Sequence, residues 1–232
     1  MITTERVADD KVLLVRMDDG KANAFTADAI AELRAHIDAA AVDETIAAVV
    51  VAGRENRFSG GFDLDVMRGD DVQAILDLVA DGGELVAHAF FAPIPVVAAC
   101  TGHAVAAGAL FLLGCDVRVG AAGEFKIGLN EVAIGMVLPD WGMTIARERL
   151  SKRHLQRCVS NARLLPPQEA SDAGFLDEVV DPDAVVDRAI ELAAEFSALV
   201  PNAYAGTMKA FRADVAAQML EEATAMRSLQ NV

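Results

Sequence analysis

Two glycine-bearing turns about forty residues apart could aim free backbone N–H groups at a single point. They are Phe58-Ser59-Gly60-Gly61-Phe62-Asp63-Leu64 and Thr101-Gly102-His103-Ala104-Val105-Ala106-Ala107-Gly108. Each follows an apolar run, Ile46 to Ala52 and Pro95 to Cys100, and each leads into a helical pattern. Strand-to-turn-to-helix corners present N–H donors, and a converging pair suits an oxygen that gains negative charge during a reaction. The third element is Glu131, in Gly128-Leu129-Asn130-Glu131-Val132, a carboxylate in an otherwise apolar stretch. Apolar surroundings raise a carboxylic acid's pKa toward neutrality and make it a usable proton carrier. Taken singly, each turn is equally a tight structural corner, and Glu131 a solvated loop residue.

The elements that must position these groups alternate between strand and helix. Val12 to Met17 reads as a strand closed by the turn Asp18-Asp19-Gly20. Thr26 is the expected N-cap of a helix to about Ala40, with Ile30, Leu33 and Ile37 at helical spacing. Ile46 to Ala52 is a near-continuous apolar run, as in a strand covered on both faces. A helix is expected near Asp63-Leu64, another from about Val72 to Phe91, and a buried strand over Pro95 to Cys100. Next come a buried helix from Ala106 to Gly114 and a short strand from Val117 to Gly120. Phe125 to Ile134 reads as extended, followed by a helix from about Trp141 to Leu150. The remainder is mostly helical, with final helices expected over Asp183 to Leu199 and Tyr204 to Leu229. This alternation implies crossover connections and a mainly parallel sheet.

The chain has 232 residues, 53% of them hydrophobic, and no linker or repeat divides it, which favours one domain with a sizeable core. Cys100, Cys115 and Cys158 form no C-x-x-C or Cys/His cluster, so reduced thiols in a cytoplasmic protein are expected and no metal. The N-terminus does not read as a signal peptide. Pro93 to Cys115 has no charged side chain, but its prolines and glycines favour a buried strand and helix over a membrane span. A net charge of −15 argues against nucleic acid and anionic membranes. Six Lys or Arg against one acid between Arg147 and Arg163 read first as a solvated helix face, and otherwise as a basic patch for an anionic ligand or a subunit contact. No Gly-x-Ser-x-Gly elbow or Gly-x-Gly-x-x-Gly fingerprint appears.

With both turns and the Glu131 segment in order, the chain resembles the crotonase superfamily, the enoyl-CoA hydratase and isomerase family. The match runs from about Val12 to Val180. It rests on Asn-Ala-Phe at 23–25, Phe-Ser-Gly-Gly-Phe-Asp-Leu at 58–64, Gly-His-Ala-Val-Ala-Ala-Gly at 102–108, Cys-Asp at 115–116 and Gly-Leu-Asn-Glu-Val-Ala-Ile-Gly at 128–135. The resemblance implies an α/β fold, the crotonase-like (ClpP/crotonase) spiral of β-β-α units. Residues 1–182 would form the spiral core, and residues 183–232 a helical C-terminal region, within the same domain or as a trimerisation extension. It also implies a homo-oligomer, trimer or hexamer, acting on an acyl-CoA thioester, with coenzyme A as part of the substrate and no permanently bound cofactor.

Carried onto this sequence, the resemblance assigns the oxyanion N–H groups to Phe62 and Ala107, both expected at helix starts, and the acid/base to Glu131. Family hydratases carry a second glutamate where this chain has Leu110, and a hydrocarbon cannot hold a water for hydration. A lone carboxylate suits a proton shuttle from C2 to C4, the shift of a 3-enoyl-CoA to a 2-trans-enoyl-CoA. Hydration by Glu131 alone is the alternative, as are hydrolysis or dehalogenation through Asp140 and simple thioester binding without chemistry. Asp before a helix is more often an N-cap, and Asp140 is read as one ahead of a nucleophile, while Trp141 either lines the acyl pocket or fills the core. His103 reads as structural. For coenzyme A the resemblance points to the backbone of Ala22 and Ala24, to Phe58, Gly60 and Gly61 along the pantetheine path, and to Gly108 for close approach. Lys21 and Lys209 are candidate phosphate contacts or solvated lysines.

Overall fold

A computed structural model describes residues 1–229; residues 230–232, the end of the expected C-terminal helical region, lie outside them. In chain order the elements are β1 (Ile2–Val7), β2 (Val12–Met17), β3 (Ala24–Phe25), α1 (Ala27–Val42), β4 (Ala48–Ala52), β5 (Asn56–Ser59), β6 (Gly61–Phe62), α2 (Leu64–Met67) and α3 (Val72–Phe90). Then follow β7 (Val96–Cys100), β8 (Gly102–Val105), α4 (Ala107–Gly114), β9 (Val117–Ala121), β10 (Ile127–Gly128), α5 (Asp140–Arg149), α6 (Leu155–Val159), α7 (Pro167–Ala173), β11 (Glu178–Val180), α8 (Val185–Glu195) and α9 (Pro201–Met226).

The main sheet has six strands in the order β1-β2-β4-β7-β9-β11, antiparallel only between β1 and β2. Three times the chain leaves it at a strand's C-terminal end and adds a second strand to a small parallel sheet, β10-β8-β5. Helices α3, α4 and α5 follow those pairs, so the units are β-β-α turns of a spiral. This is the spiral of β-β-α units that the resemblance implies, with a helical C-terminal region.

Continuous apolar strands are explained by burial on both faces. Along β4, Val49 and Val51 enter the larger core, while Ala48, Val50 and Ala52 enter a second one closed by Val185, Ala189 and Ala193 of α8. In α1, Thr26 Oγ1 accepts the Ala29 N–H, and Ile30, Leu33 and Ile37 are buried. Helix α9 packs along α3 and α5. Buried Arg212 anchors it, donating to Asp116 Oδ1 at 2.8 Å and to the Phe90 carbonyl at 2.9 Å. Among the described residues no helix is long and apolar enough to cross a membrane; the uncharged Pro93 to Cys115 stretch is β7, β8 and α4.

Two expectations need correction. Phe125 to Ile134 is not one extended segment: β10 holds only Ile127–Gly128, Gly128 adopts a φ of +142°, and a 3-10 turn spans Val132–Ile134. The left-handed glycine ends the ladder and turns the chain into the Glu131 loop. Asp140 is not an N-cap, because Pro139 holds that position and Asp140 is the first helical residue.

Candidate active site

The first turn is built by a buried polar tie. Asn23 Nδ2 donates to the carbonyls of Met17 at 2.8 Å, Phe58 at 3.2 Å and Arg57 at 3.3 Å. Ser59 Oγ donates back to the Asn23 carbonyl at 2.7 Å and accepts the Gly61 N–H at 3.2 Å. The Gly60 N–H meets the Ala22 carbonyl at 2.8 Å. These bonds carry the chain into β6, which pairs in parallel with β3. Phe62 therefore lies in a strand and not at a helix start; α2 begins two residues later, capped by Asp63. Asp63 donates to the Phe25 carbonyl at 3.1 Å.

Beside Gly61 lies the second turn. Gly61 has a φ of +97°, and a methyl group there would sit 3.1 Å from the Val105 carbonyl and 3.5 Å from the Ala107 nitrogen. The two turns, distant in sequence, are thus in backbone contact. Ala107 opens α4, where the first N–H groups have no intrahelical acceptor and the helix dipole favours negative charge. Ala106 reaches this corner at φ 52° and ψ −124°, a region that favours glycine, at a cost of about 1–3 kcal/mol for a side-chain-bearing residue. Its N–H is held by the Gly128 carbonyl at 3.0 Å, and its carbonyl accepts the Leu110 N–H at 3.0 Å.

The same bond to Gly128 brings in the acid. Three residues on, Glu131 starts the 3-10 turn and is buried at 7% exposure. Its Oε2 is enclosed without a hydrogen-bond partner. Burial pushes its pKa up to about 6, against the opposing pull of the Glu131 and Asn130 N–H groups. At pH 7 such a group is mostly ionised and still close enough to its pKa to give a proton back. One turn into α4, Leu110 is 1% exposed, and a methyl at Gly142 would lie 3.3 Å from both Leu110 Cδ1 and Leu138 Cδ1. The space between α4 and α5 is hydrocarbon there.

A family model described as enoyl-CoA hydratase/isomerase matches residues 8–231. The chain belongs to the enoyl-CoA hydratase/isomerase family. An enoyl-CoA isomerase structure from Mycobacterium tuberculosis superposes with a TM-score of 0.91 at 37% identity, covering 99% of this chain and 98% of that one. The rat mitochondrial enoyl-CoA delta isomerase 1 is 26% identical, over 84% of this chain and 68% of its own length. The 2,3-dehydroadipyl-CoA hydratase of Escherichia coli is 29% identical, over 87% and 78%. Isomerases and hydratases thus stand at similar distances, and similarity alone does not choose between the reactions.

Within this family member the remaining candidates spread out. Asp140 is exposed, and Trp141 is fully buried with its ring against Gly83 of α3. Lys21 is exposed beside the first turn, and its carbonyl accepts Arg54 Nε at 2.8 Å. Lys209 lies on the exposed side of α9, which is not among the elements of the junction. Ala22, Ala24, Phe58 and Gly60 are gathered by the Asn23 tie, and a methyl at Gly108 would lie 2.7 Å from the Ser59 carbonyl. His103 Nδ1 accepts the Lys126 N–H at 2.9 Å, and its ring meets Phe125 edge-on, a structural role. In the basic segment, Arg149 donates to the Cys115 carbonyl, and Arg157 and Arg163 pair with Glu169, which removes the case for an anion patch built from all six. A cavity of about 430 Å³, lined by residues such as Lys11, Ile46, Pro95 and Tyr204, lies at the opposite ends of the parallel strands and contains none of the candidate residues.

Sequence reasoning missed the tie itself. Asp19 accepts the N–H groups of Lys21, Asn23 and Ala24 on its carboxylate. Desolvation works against that charge, but the backbone donors outweigh it and keep the pKa below the usual carboxylate value. Asn23 adopts a φ of 50°, a conformation asparagine tolerates, and Asp-x-x-x-Asn ahead of a short strand was the available signal.

Proposed function

We propose that this chain is an acyl-CoA enzyme that stabilises a thioester enolate, and that its reaction is the shift of a 3-enoyl-CoA double bond to 2-trans-enoyl-CoA. The observation that carries this reading is a single buried carboxyl, Glu131, with an unpartnered oxygen and a pKa near 6, while Leu110, where family hydratases carry a second glutamate, is buried hydrocarbon. Ionised Glu131 takes a proton from C2 of the 3-enoyl thioester. The electron pair moves onto the thioester oxygen, which the Phe62 and Ala107 N–H groups receive. Protonated Glu131 then returns the proton at C4, the charge flows back, and the double bond is left between C2 and C3. No water enters, so no second carboxylate is needed. One donor of such a pair is worth about 10²–10³ in rate.

Ala22 and Ala24 backbone, Phe58 and Gly60-Gly61 would follow the pantetheine arm, and Lys21 the phosphates. The neighbouring Val132, Ile134, Met136 and Val137 are exposed and apolar, which suits a hydrocarbon acyl group. Association into trimers or hexamers belongs to the same reading. The second reading is slow hydration of a 2-enoyl-CoA by Glu131 alone, favoured by the hydratases among the relatives. A panel of 2- and 3-enoyl-CoAs of several chain lengths separates them. Conversion of 3-enoyl substrates with negligible water addition supports isomerisation; faster formation of 3-hydroxyacyl-CoA overturns it.

A further inference from the structure

Helix α3 runs for 19 residues with two consecutive glycines in its middle, Gly82 and Gly83. Each glycine costs a helix interior ~0.8–1 kcal/mol relative to alanine, so propensity alone would remove them. The neighbours supply the reason for keeping them. A methyl at Gly82 would collide with Cε1 and Cζ of Phe62, well inside the 3.0 Å that real Cβ contacts essentially never cross. A methyl at Gly83 would lie 2.8 Å from Trp141 Cδ1 and Cδ2 and from Ala223 Cβ. Strand β6, helix α5 and helix α9 therefore meet on one bare step of α3.

That step is itself clamped. Arg227, just past the end of α9, reaches Asp81 at 2.8 Å and Glu84 at 2.7 Å, one residue to either side of the glycine pair. Strand β6 is only two residues long, with Gly61 already pressed on the Ala107 turn. A push on the tip of the half-buried Phe62 ring is met either by rotation of the side chain or by movement of a strand with no long ladder to hold it.

We propose that the Gly82-Gly83 step is the seat that positions the oxyanion donor. Gly82 fixes the depth of the Phe62 ring, and through it the direction of the Phe62 N–H relative to that of Ala107. Gly82 is thus a positioning residue that touches no substrate. The inference rests on the Phe62 and Ala107 assignment above.

The test combines Gly82→Ala, Phe62→Leu and the double variant with two readouts. Phenylalanine labelled with nitrogen-15 gives ten backbone resonances, and the one lost in Phe62→Leu is Phe62. In Gly82→Ala that resonance moves, and turnover in C2 proton exchange falls by about 10²-fold with KM for the thioester little changed, as expected for a donor misplaced by roughly 1 Å. In Gly82→Ala/Phe62→Leu, the smaller side chain makes room for the methyl and most of the turnover returns. An unmoved resonance with wild-type turnover in Gly82→Ala overturns the proposal, as does a double variant no better than the single one. If Gly82→Ala does not fold, the double variant must fold and exchange; its failure also overturns the seat. If the wild type shows no exchange, the enolate reading fails separately, and the Phe62 resonance still decides the seating.

Discussion

Replacing Glu131 with Gln should stabilise the protein in a pH-dependent way. The folded chain holds the Glu131 proton more tightly than an unfolded one, with a pKa of about 6 against 4.5, because burial disfavours the charge. Between those values the folded state binds more protons than the unfolded state, so stability falls as pH rises through the window and levels off above it. Below pH 4.5 both states are protonated and the group contributes nothing. The full difference corresponds to about 2 kcal/mol at pH 8, and under half of that remains at pH 5. Gln has the shape of the protonated acid and cannot ionise, so Glu131→Gln recovers this loss. At about 2–4 °C per kcal/mol for a chain of this size, Tm at pH 8 should rise by roughly 4–8 °C, with a clearly smaller rise at pH 5. Thermal unfolding of both proteins at the two pH values measures it. Equal Tm values at pH 8, or a gap independent of pH, would refute the claim that Glu131 is an ionised carboxylate held in an apolar pocket at the cost of stability.

Other outcomes follow from the same geometry. Leu110→Glu should raise water addition to 2-enoyl-CoA relative to isomerisation while costing about 3–5 kcal/mol of stability for a buried unpaired charge, and no gain in hydration counts against placing residue 110 beside the reacting carbons. Asp140→Asn should leave isomerisation within about threefold, since the exposed carboxylate does no more than favour the start of α5 by ~0.3–1 kcal/mol; a collapse of activity moves Asp140 to the front. Arg212→Met strands Asp116 without its partner and should lower stability by about 3–5 kcal/mol in urea unfolding. A loss below 1 kcal/mol would mean that the Arg212–Asp116 pair does not anchor α9.

Much of this arrangement is legible in the sequence because its signals are local. The strand Val12–Met17, the Thr26 cap and the helix over Val72–Phe90 follow from burial on two faces, a side-chain oxygen at an N-cap, and helical spacing. The two glycine turns and the Glu131 loop stand out by composition, and the structure shows the first turn meeting the second at Gly61 and Ala107. What sequence does not reveal is non-local. The placement of Phe62 in a two-residue strand depends on pairing with Ala24–Phe25, nearly forty residues away. The short strands carry too few residues for any period, and β1 is exposed along its middle. The Asn23 tie spans Met17 to Phe58, and the collision at Gly82 exists only once α3 is laid against β6.

The central claim is that Glu131 moves a proton at C2 of a thioester whose oxygen is held at the Phe62 and Ala107 turns. Solvent-deuterium exchange into C2 of a saturated acyl-CoA tests it without knowledge of the natural substrate. The account predicts exchange by the wild type, with a rise as pH passes about 6, and loss of at least about 10²-fold in Glu131→Gln. Thioesters of several chain lengths that bind without exchange, or exchange that survives in Glu131→Gln, would contradict it.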